Sequence, residues 1–355
     1  MRILYGVQGT GNGHIARARI MAKAFAERED VIVDYLFSGR ERSEYFDMEI
    51  FGQFRSFTGL TFSTKNGVVS RWQTLKSAKF LRLVQDIKGL DLSAYDLLIN
   101  DFEPLSAWAA KSQNIPSISI SHQAAFLHPI PKQGYNQIGR LLTKYFAPTD
   151  IQLGVHWYHF GHSIMPPFID AKIDDRIVDK KLLVYLPFED IKDIRTLLEP
   201  LAEHDFICFH PAISEHKQEA NISWQSLSKE GFYRVLQGCS GVIANAGFEL
   251  SSECLHLGKR LLIKPLQGQF EQLSNVRTLL ELGLCHCMLS LDSEAVESWL
   301  NCRANEPIVF PTDPGILIDW LIKKEWQKTD ELCADLWQRV RFPNEVLLRL
   351  SRMSI

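Results

Sequence analysis

With 355 residues the chain exceeds what one ordinary core encloses, so two domains are expected. A net charge of −3 argues against a general nucleic-acid binder, and no apolar run reaches the roughly 18 residues of a membrane span. The composition, 46% hydrophobic and 23% charged, is that of a soluble globular protein, and seven cysteines crowded into the second half suit reduced thiols in a cytoplasm rather than a disulfide framework.

The chain is expected to enter a strand at once, over residues 3–5, without a leader. Gly6, Gly9, Gly11 and Gly13 follow, then His14, then helical periodicity over 15–27. Glycines there predict a tight turn and close approach of a bound group, and a helix start supplies unpaired N–H groups. The dinucleotide fingerprint G-x-G-x-x-G is not met, because the third glycine comes one residue early and His14 stands in its place. Asp34 would be the ribose acid of such a site, but it falls inside the strand expected over 31–37. No lysine follows the glycines, which excludes a P-loop. Further strands are expected over 95–100 and 117–121, with a helix over 104–111 between them. This alternation predicts a parallel sheet covered on both faces.

Residues 53–88 break the rhythm. Arg55, Lys65, Arg71, Lys76, Lys79, Arg82 and Lys88 face one acid, Asp86, with Phe54, Phe57, Phe62, Trp72 and Phe80 interleaved. The segment reads either as a solvated helix with core aromatics or as a peripheral contact with an anionic membrane or lipid-linked substrate. His156, His159 and His162, three apart, read as an edge strand rather than a metal site. Cys285-His286-Cys287 lacks a second cysteine pair at zinc spacing and reads as a strand edge.

Pro166 and Pro167 open a linker, 166–180, between a first domain over 1–165 and a second over 181–327. In the second, strands are expected over 182–186, 206–209, 241–244 and 260–263, and helices over 191–201, 231–237, 248–257 and 269–282. Two amphipathic helices are expected over 314–342, and the last stretch, about 328–355, is expected to pack back on the first domain. Two doubly wound domains leave a cleft between their strand C-terminal ends, where such folds bind ligands. Asn245-Ala246-Gly247-Phe248 leads into a helix carrying Ser251 and Glu253. Gly247 allows close approach, the N–H groups of 248–251 would face an anion, and Glu253 suits neutral hydroxyls such as those of a ribose. Gln267 precedes Glu271 and Gln272, a polar pair able to read sugar hydroxyls.

Residues 9–14, 245–253 and 265–272 together resemble the nucleotide-sugar glycosyltransferases of the GT-B fold, in the group of the lipid II UDP-GlcNAc transferase, MGDG synthases and UDP-glycosyltransferases. The resemblance implies an α/β fold of two Rossmann-like domains around a cleft and a hexosyl or N-acetylhexosaminyl transferase. It implies donor binding by Gly11, Asn12, Gly13, Asn245, Gly247, Phe248, Ser251, Glu253, Gln267, Glu271 and Gln272. On that match Glu253 takes the ribose, residues 247–251 the diphosphate, and Glu271 with Gln272 the sugar. It further implies transfer with inversion to an acceptor glycan or lipid. No cofactor is expected, the UDP-sugar being the donor substrate. No D-x-D triplet occurs, so helix N-termini rather than a metal are expected to meet the leaving-group charge. His14 is the candidate base on the acceptor hydroxyl, Asp101 its orienting acid, and Glu103 a second candidate base. The expected location is the cytoplasm, extending to the inner membrane face if 53–88 makes its contact. A nucleotide-sugar epimerase of the same fold and a non-catalytic nucleotide-sugar-binding subunit are the alternatives.

Overall fold

The computed structural model describes residues 1–59, 63–65, 68–70, 77–171, 180–304 and 306–353, with backbone alone for 63–65, 68–70 and 77–80. The first half runs β1 (Arg2–Gln8), α1 (Asn12–Ala26), β2 (Ile32–Ser38), β3 (Arg55–Phe57), β4 (Ser63–Lys65), β5 (Val68–Ser70) and α2 (Ser77–Gly89). It continues with β6 (Leu97–Asp101), α3 (Pro104–Gln113), β7 (Ser117–Ser121), α4 (His122–Ala125), α5 (Gln137–Tyr145), β8 (Ile151–Val155) and β9 (Ile164–Met165). Seven strands form one sheet in the order β3-β2-β1-β6-β7-β8-β9, parallel throughout. Ile3, Leu4, Tyr5 and Val7 are fully buried, as a strand covered on both faces requires. The winding reverses between β1 and β6, which opens a crevice at their C-terminal ends. The register sets Val7 opposite Asp101 there, beside the glycine loop.

The second half repeats the plan with β10 (Leu182–Tyr185), α6 (Ile191–Leu198), β11 (Phe206–Phe209), β12 (Lys217–Glu219), β13 (Ile222–Gln225), α7 (Lys229–Gly238) and β14 (Gly241–Asn245). Then come α8 (Phe248–His256), β15 (Arg260–Lys264), α9 (Phe270–Leu282), β16 (His286–Cys287) and α10 (Ser293–Leu300). Its sheet order is β12-β13-β11-β10-β14-β15-β16, reversing between β10 and β14, with one antiparallel pair, β12 with β13, at an edge. β12 is polar throughout and β13 alternates over only four residues, too short a run to register as a period. Two helices lie over 314–342, α11 (Gly315–Ile322) and α12 (Thr329–Trp337), and a third, α13 (Asn344–Leu350), follows them. They touch the first half through Arg28 Nη1 on Asp319 Oδ1 (2.7 Å), Trp337 Nε1 on the Ile164 carbonyl (2.6 Å), and Ser163 on Asp330. One apolar cluster is continuous between the halves, from Ile3 and Met21 through Trp157 and Phe248 to Leu317.

One expectation needs correction, and two further readings can be set against the structure. His156, His159 and His162 lie in the loop after β8, not on an edge strand, and His156 is fully buried against the rings of His122, Trp157 and Phe160. Among the described residues no group of three ligands could hold a metal ion. Asp34 accepts from Arg2 Nη2 at 2.8 Å and from the Tyr95 hydroxyl at 2.9 Å, so it is spoken for as a structural ion pair. In the basic stretch, Phe62, Arg71, Trp72 and Lys76 lie outside the described residues, as do the side chains of Lys65, Lys79 and Phe80. What is described of α2 turns Leu83 inward to a core cluster with Ile87 packed on it, and leaves Arg82 and Lys88 exposed.

Candidate active site

The glycine loop is shaped for contact rather than for turning. None of Gly6, Gly9, Gly11 or Gly13 has a left-handed φ. A Cβ at Gly9 would come within 2.2 Å of the Tyr45 hydroxyl, and one at Gly13 within 2.9 Å of Cγ of Glu249. Gly13 thus lets the start of α1 touch the start of α8, and the two halves meet at the two helix N-termini. Gly11 is the N-cap of α1 and faces open space. Asn12 Oδ1 accepts from Arg40 Nη2 at 2.9 Å.

α1 begins at Asn12, three residues earlier than periodicity indicates, so His14 sits inside the first turn. Its Nδ1 lies 2.8 Å from Asp101 Oδ1 at the end of β6, and its side chain keeps 15% exposure while Asp101 keeps none. Burial alone would raise the Asp101 carboxyl. The Arg17 guanidinium and His14 overcome that and hold it below its ordinary value. Phe102 follows in a left-handed conformation, φ 54°, which turns the chain away directly after the acid.

Glu103 has a different place. It caps α3, and its carboxylate accepts from the Leu105 and Ser106 amides and from the Ser38 and Ser106 hydroxyls at 2.6–2.8 Å. Four bonds use its four lone-pair directions, and the residue is fully buried, so it presents nothing to the cleft.

On the other side, α8 opens at Gly247 with no side-chain cap, and a Cβ there would meet open space. The Ser251 hydroxyl and Asn245 Oδ1 are buried without a hydrogen-bond partner. Such atoms ordinarily find one, so this end of the helix is short of acceptors and donors that a ligand would supply. Phe248 is not at the mouth. It stacks on His122 at 3.9 Å between centroids and packs on Trp157, joining the halves. Glu253 lies one turn past Glu249, and its carboxyl is pushed up to about 8, by burial first and then by Glu249 and Asp170. Gln272 Oε1 accepts from the Leu266 amide at 2.9 Å, and Glu271 Oε2 from Gln123 Nε2 of the first half at 3.0 Å, while Gln267 is exposed.

Several residues here escaped the sequence reading. Arg17 and Glu249 form an ion pair between the halves. His122 Nε2 lies 2.7 Å from Asn275 Oδ1, and Trp157 Nε1 donates to Ser252 Oγ at 2.8 Å. Lys264, ending β15, pairs with Glu189 at 2.6 Å with both side chains 7% exposed. Beside them is a cavity of about 530 Å³ lined by residues 187–192, Arg195, His210 and Ala212. On the first half, α5 turns its apolar stripe outward: Ile138, Leu141 and Tyr145 are exposed with Arg140 and Lys144, while Gly139 and Thr143 pack inward. Phe102 packs on Phe146 at its end, 4.9 Å between centroids.

The model of a family described as Glycosyl transferase family 1 matches residues 1–303. A comparison with curated proteins finds no match. Among solved structures, the chain is similar to UGT2 of Phytolacca americana, solved with UDP-2fluoro-glucose and pterostilbene, at 14% identity over 99% of this chain and 98% of that one, TM-score 0.57. It is similar to the glycosyltransferase SnogD from Streptomyces nogalater at 14% identity over 99% and 98%, TM-score 0.54. It is also similar to a candidate UDP-N-acetylglucosamine 2-epimerase from Listeria monocytogenes at 11% identity over 92% and 97%, TM-score 0.57. At these identities the likeness is one of fold, and it extends over both sheets.

Proposed function

The chain belongs to glycosyl transferase family 1 and has the GT-B fold, and from that premise we infer that it moves a sugar from a UDP-sugar to an acceptor hydroxyl with inversion and without a metal. The observation that carries this reading is the His14–Asp101 pair, held opposite the open start of α8. His14 Nδ1–H donates to Asp101, which leaves Nε2 as the acceptor that takes the proton from the attacking hydroxyl. The hydroxyl oxygen bonds to the anomeric carbon as the bond to the diphosphate oxygen breaks. The departing negative charge meets the N–H groups at the start of α8, with the Ser251 hydroxyl behind them. Glu253 accepts from the ribose hydroxyls, and the cavity beside Glu189 and His210 receives the base.

The acceptor side is the face of the first half around Phe102. The outward stripe of α5, with Arg140 and Lys144 beside it, supports an acceptor carried on an anionic membrane or bearing an apolar tail, reached from the cytoplasmic side. Among the described residues no helix is long and apolar enough to cross a membrane, so such contact would be peripheral.

The test is a thermal-shift panel of UDP-, GDP- and dTDP-sugars. A UDP-sugar at 100 times its Kd should stabilise the protein by about 2.7 kcal/mol, and the other nucleotides by less. Stabilisation by none of them sinks the reading. Consumption of UDP-GlcNAc with release of free ManNAc and UDP but no transfer to any acceptor would favour an epimerase, and binding with no turnover a silent subunit.

A further inference from the structure

Arg17 has no part in the chemistry just described, yet it contacts three charged or titratable groups at the site. It stands one helical turn after His14 on α1 with its side chain 9% exposed. Its Nε donates to Asp101 Oδ2 at 2.8 Å and its Nη2 to Asp101 Oδ1 at 3.0 Å, a bidentate grip on the acid that holds His14. Nη2 also lies 3.3 Å from His14 Nδ1. Its Nη1 donates to Glu249 on α8, in the other half. One guanidinium therefore touches the base, the acid and the facing helix.

The charges explain why the arrangement is indivisible. Asp101, fully buried, and Glu249, whose side chain keeps 13% exposure, face each other across the meeting line, and Asp101 raises the cost of ionising Glu249. Arg17 lies between them and cancels that repulsion. Its planar fork fixes both oxygens of Asp101, and so the direction from which the acid addresses His14. A lysine ammonium carries the charge without the fork. Gly13 gives the room that lets Glu249 reach this position.

We propose that Arg17 is a positioning residue that couples the seating of α8 against α1 to the alignment of His14 and Asp101, with Glu249 as its anchor. The base is aligned when the donor-binding helix is in place and slackens when it is not. This rests on the transferase reading for its consequence, but its geometry can be tested without substrate.

The experiment compares Arg17→Lys, Arg17→Gln, Glu249→Gln and the double variant Arg17→Gln/Glu249→Gln in the full chain. The first readout is the hydrogen-bonded Nδ1 proton of His14 by NMR in the free protein. It should move upfield and exchange faster in every variant, Arg17→Lys included. The second is hydrolysis of UDP-GlcNAc with water as acceptor. Turnover should fall roughly 10–100-fold with the donor KM within about twofold, the scale of a misplaced catalytic group. The double variant should be no worse than Arg17→Gln alone, because the two residues act through each other. A wild-type ring proton and wild-type turnover in both Arg17→Lys and Glu249→Gln overturn the proposal. If the unaltered protein turns over no UDP-sugar, the functional reading fails, and the ring proton alone decides the proposal: unchanged in those two variants, it is wrong.

Discussion

The two halves share a plan and differ in how finished their working edges are. At the first sheet the charged and amide groups named above are already tied, Asp101 to His14 and Arg17, Glu103 to four donors and Asn12 to Arg40, while the Tyr5 hydroxyl is buried without a partner. At the second, Gly247 faces open space, Ser251 and Asn245 hold buried oxygens without partners, and Glu253 sits in surroundings that lift it to about 8. On the proposed function, the first edge is the one that acts and the second the one that receives. A base must be oriented before its substrate arrives, whereas a nucleotide site can leave polar atoms unsatisfied for the nucleotide to complete.

The sharpest way to break the comparison is to empty the first edge. His14→Ala should lower kcat by roughly 10²–10⁴-fold with UDP binding intact. Unchanged turnover would remove His14 as the base. The next effect concerns stability. Glu103→Ala removes a cap and strands two hydroxyls, which should cost about 2–4 kcal/mol of unfolding free energy by urea denaturation. A loss under about 1 kcal/mol would mean the cap contributes no more than an ordinary one.

Breaking the second edge should cost affinity instead. Glu253→Ala should lose ~1.5–3 kcal/mol of UDP binding, the scale of hydrogen bonds to a charged group. Its raised carboxyl adds a pH signature. In the free protein Glu253 is protonated below about 8, and ribose hydroxyls favour the carboxylate, so binding releases a proton. UDP affinity should therefore climb with pH toward that value, by at most roughly tenfold per unit, and level off above it. A flat profile from pH 6 to 9 would take Glu253 out of the site. Folding has the opposite sign. A raised carboxyl contributes stability at low pH that is lost as pH rises through the folded value, so Glu253→Gln should raise Tm at pH 8, by about 2–4 °C for each kcal/mol regained. The smallest effect is at α5, where Arg140→Glu with Lys144→Glu should weaken cosedimentation with anionic vesicles, each charge contributing about 1 kcal/mol. An unaltered chain that ignores such vesicles removes the membrane reading.

Much of the fold is legible in the sequence because alternating apolar runs and helical periods are local signals. The strand 117–121 and the helix starting at Phe248 follow from their own neighbourhoods. His14 and Asp101 can be paired from a distance because one opens the helix after β1 and the other ends β6, and doubly wound folds bring those neighbouring edges together. Glu103 was misjudged because an acid before Pro104 is equally a base at a cleft or a cap, and only its four partners distinguish them. Arg17 was invisible for another reason. A charged residue on a helix reads as a solvent face, and the carboxylates that bury it lie 84 and 232 residues away. The outward stripe of α5 inverts the rule that an apolar stripe faces the core, because Gly139 must lie flat against Tyr135 and Phe270.

The division of labour is tested most directly by calorimetric titration of UDP into His14→Ala and Glu253→Ala side by side with the unaltered protein. The account predicts that His14→Ala binds UDP as the unaltered protein does and that Glu253→Ala binds it at least tenfold more weakly, since ~1.5 kcal/mol is a factor of ten. Loss of UDP affinity in His14→Ala, or full affinity in Glu253→Ala, would contradict it.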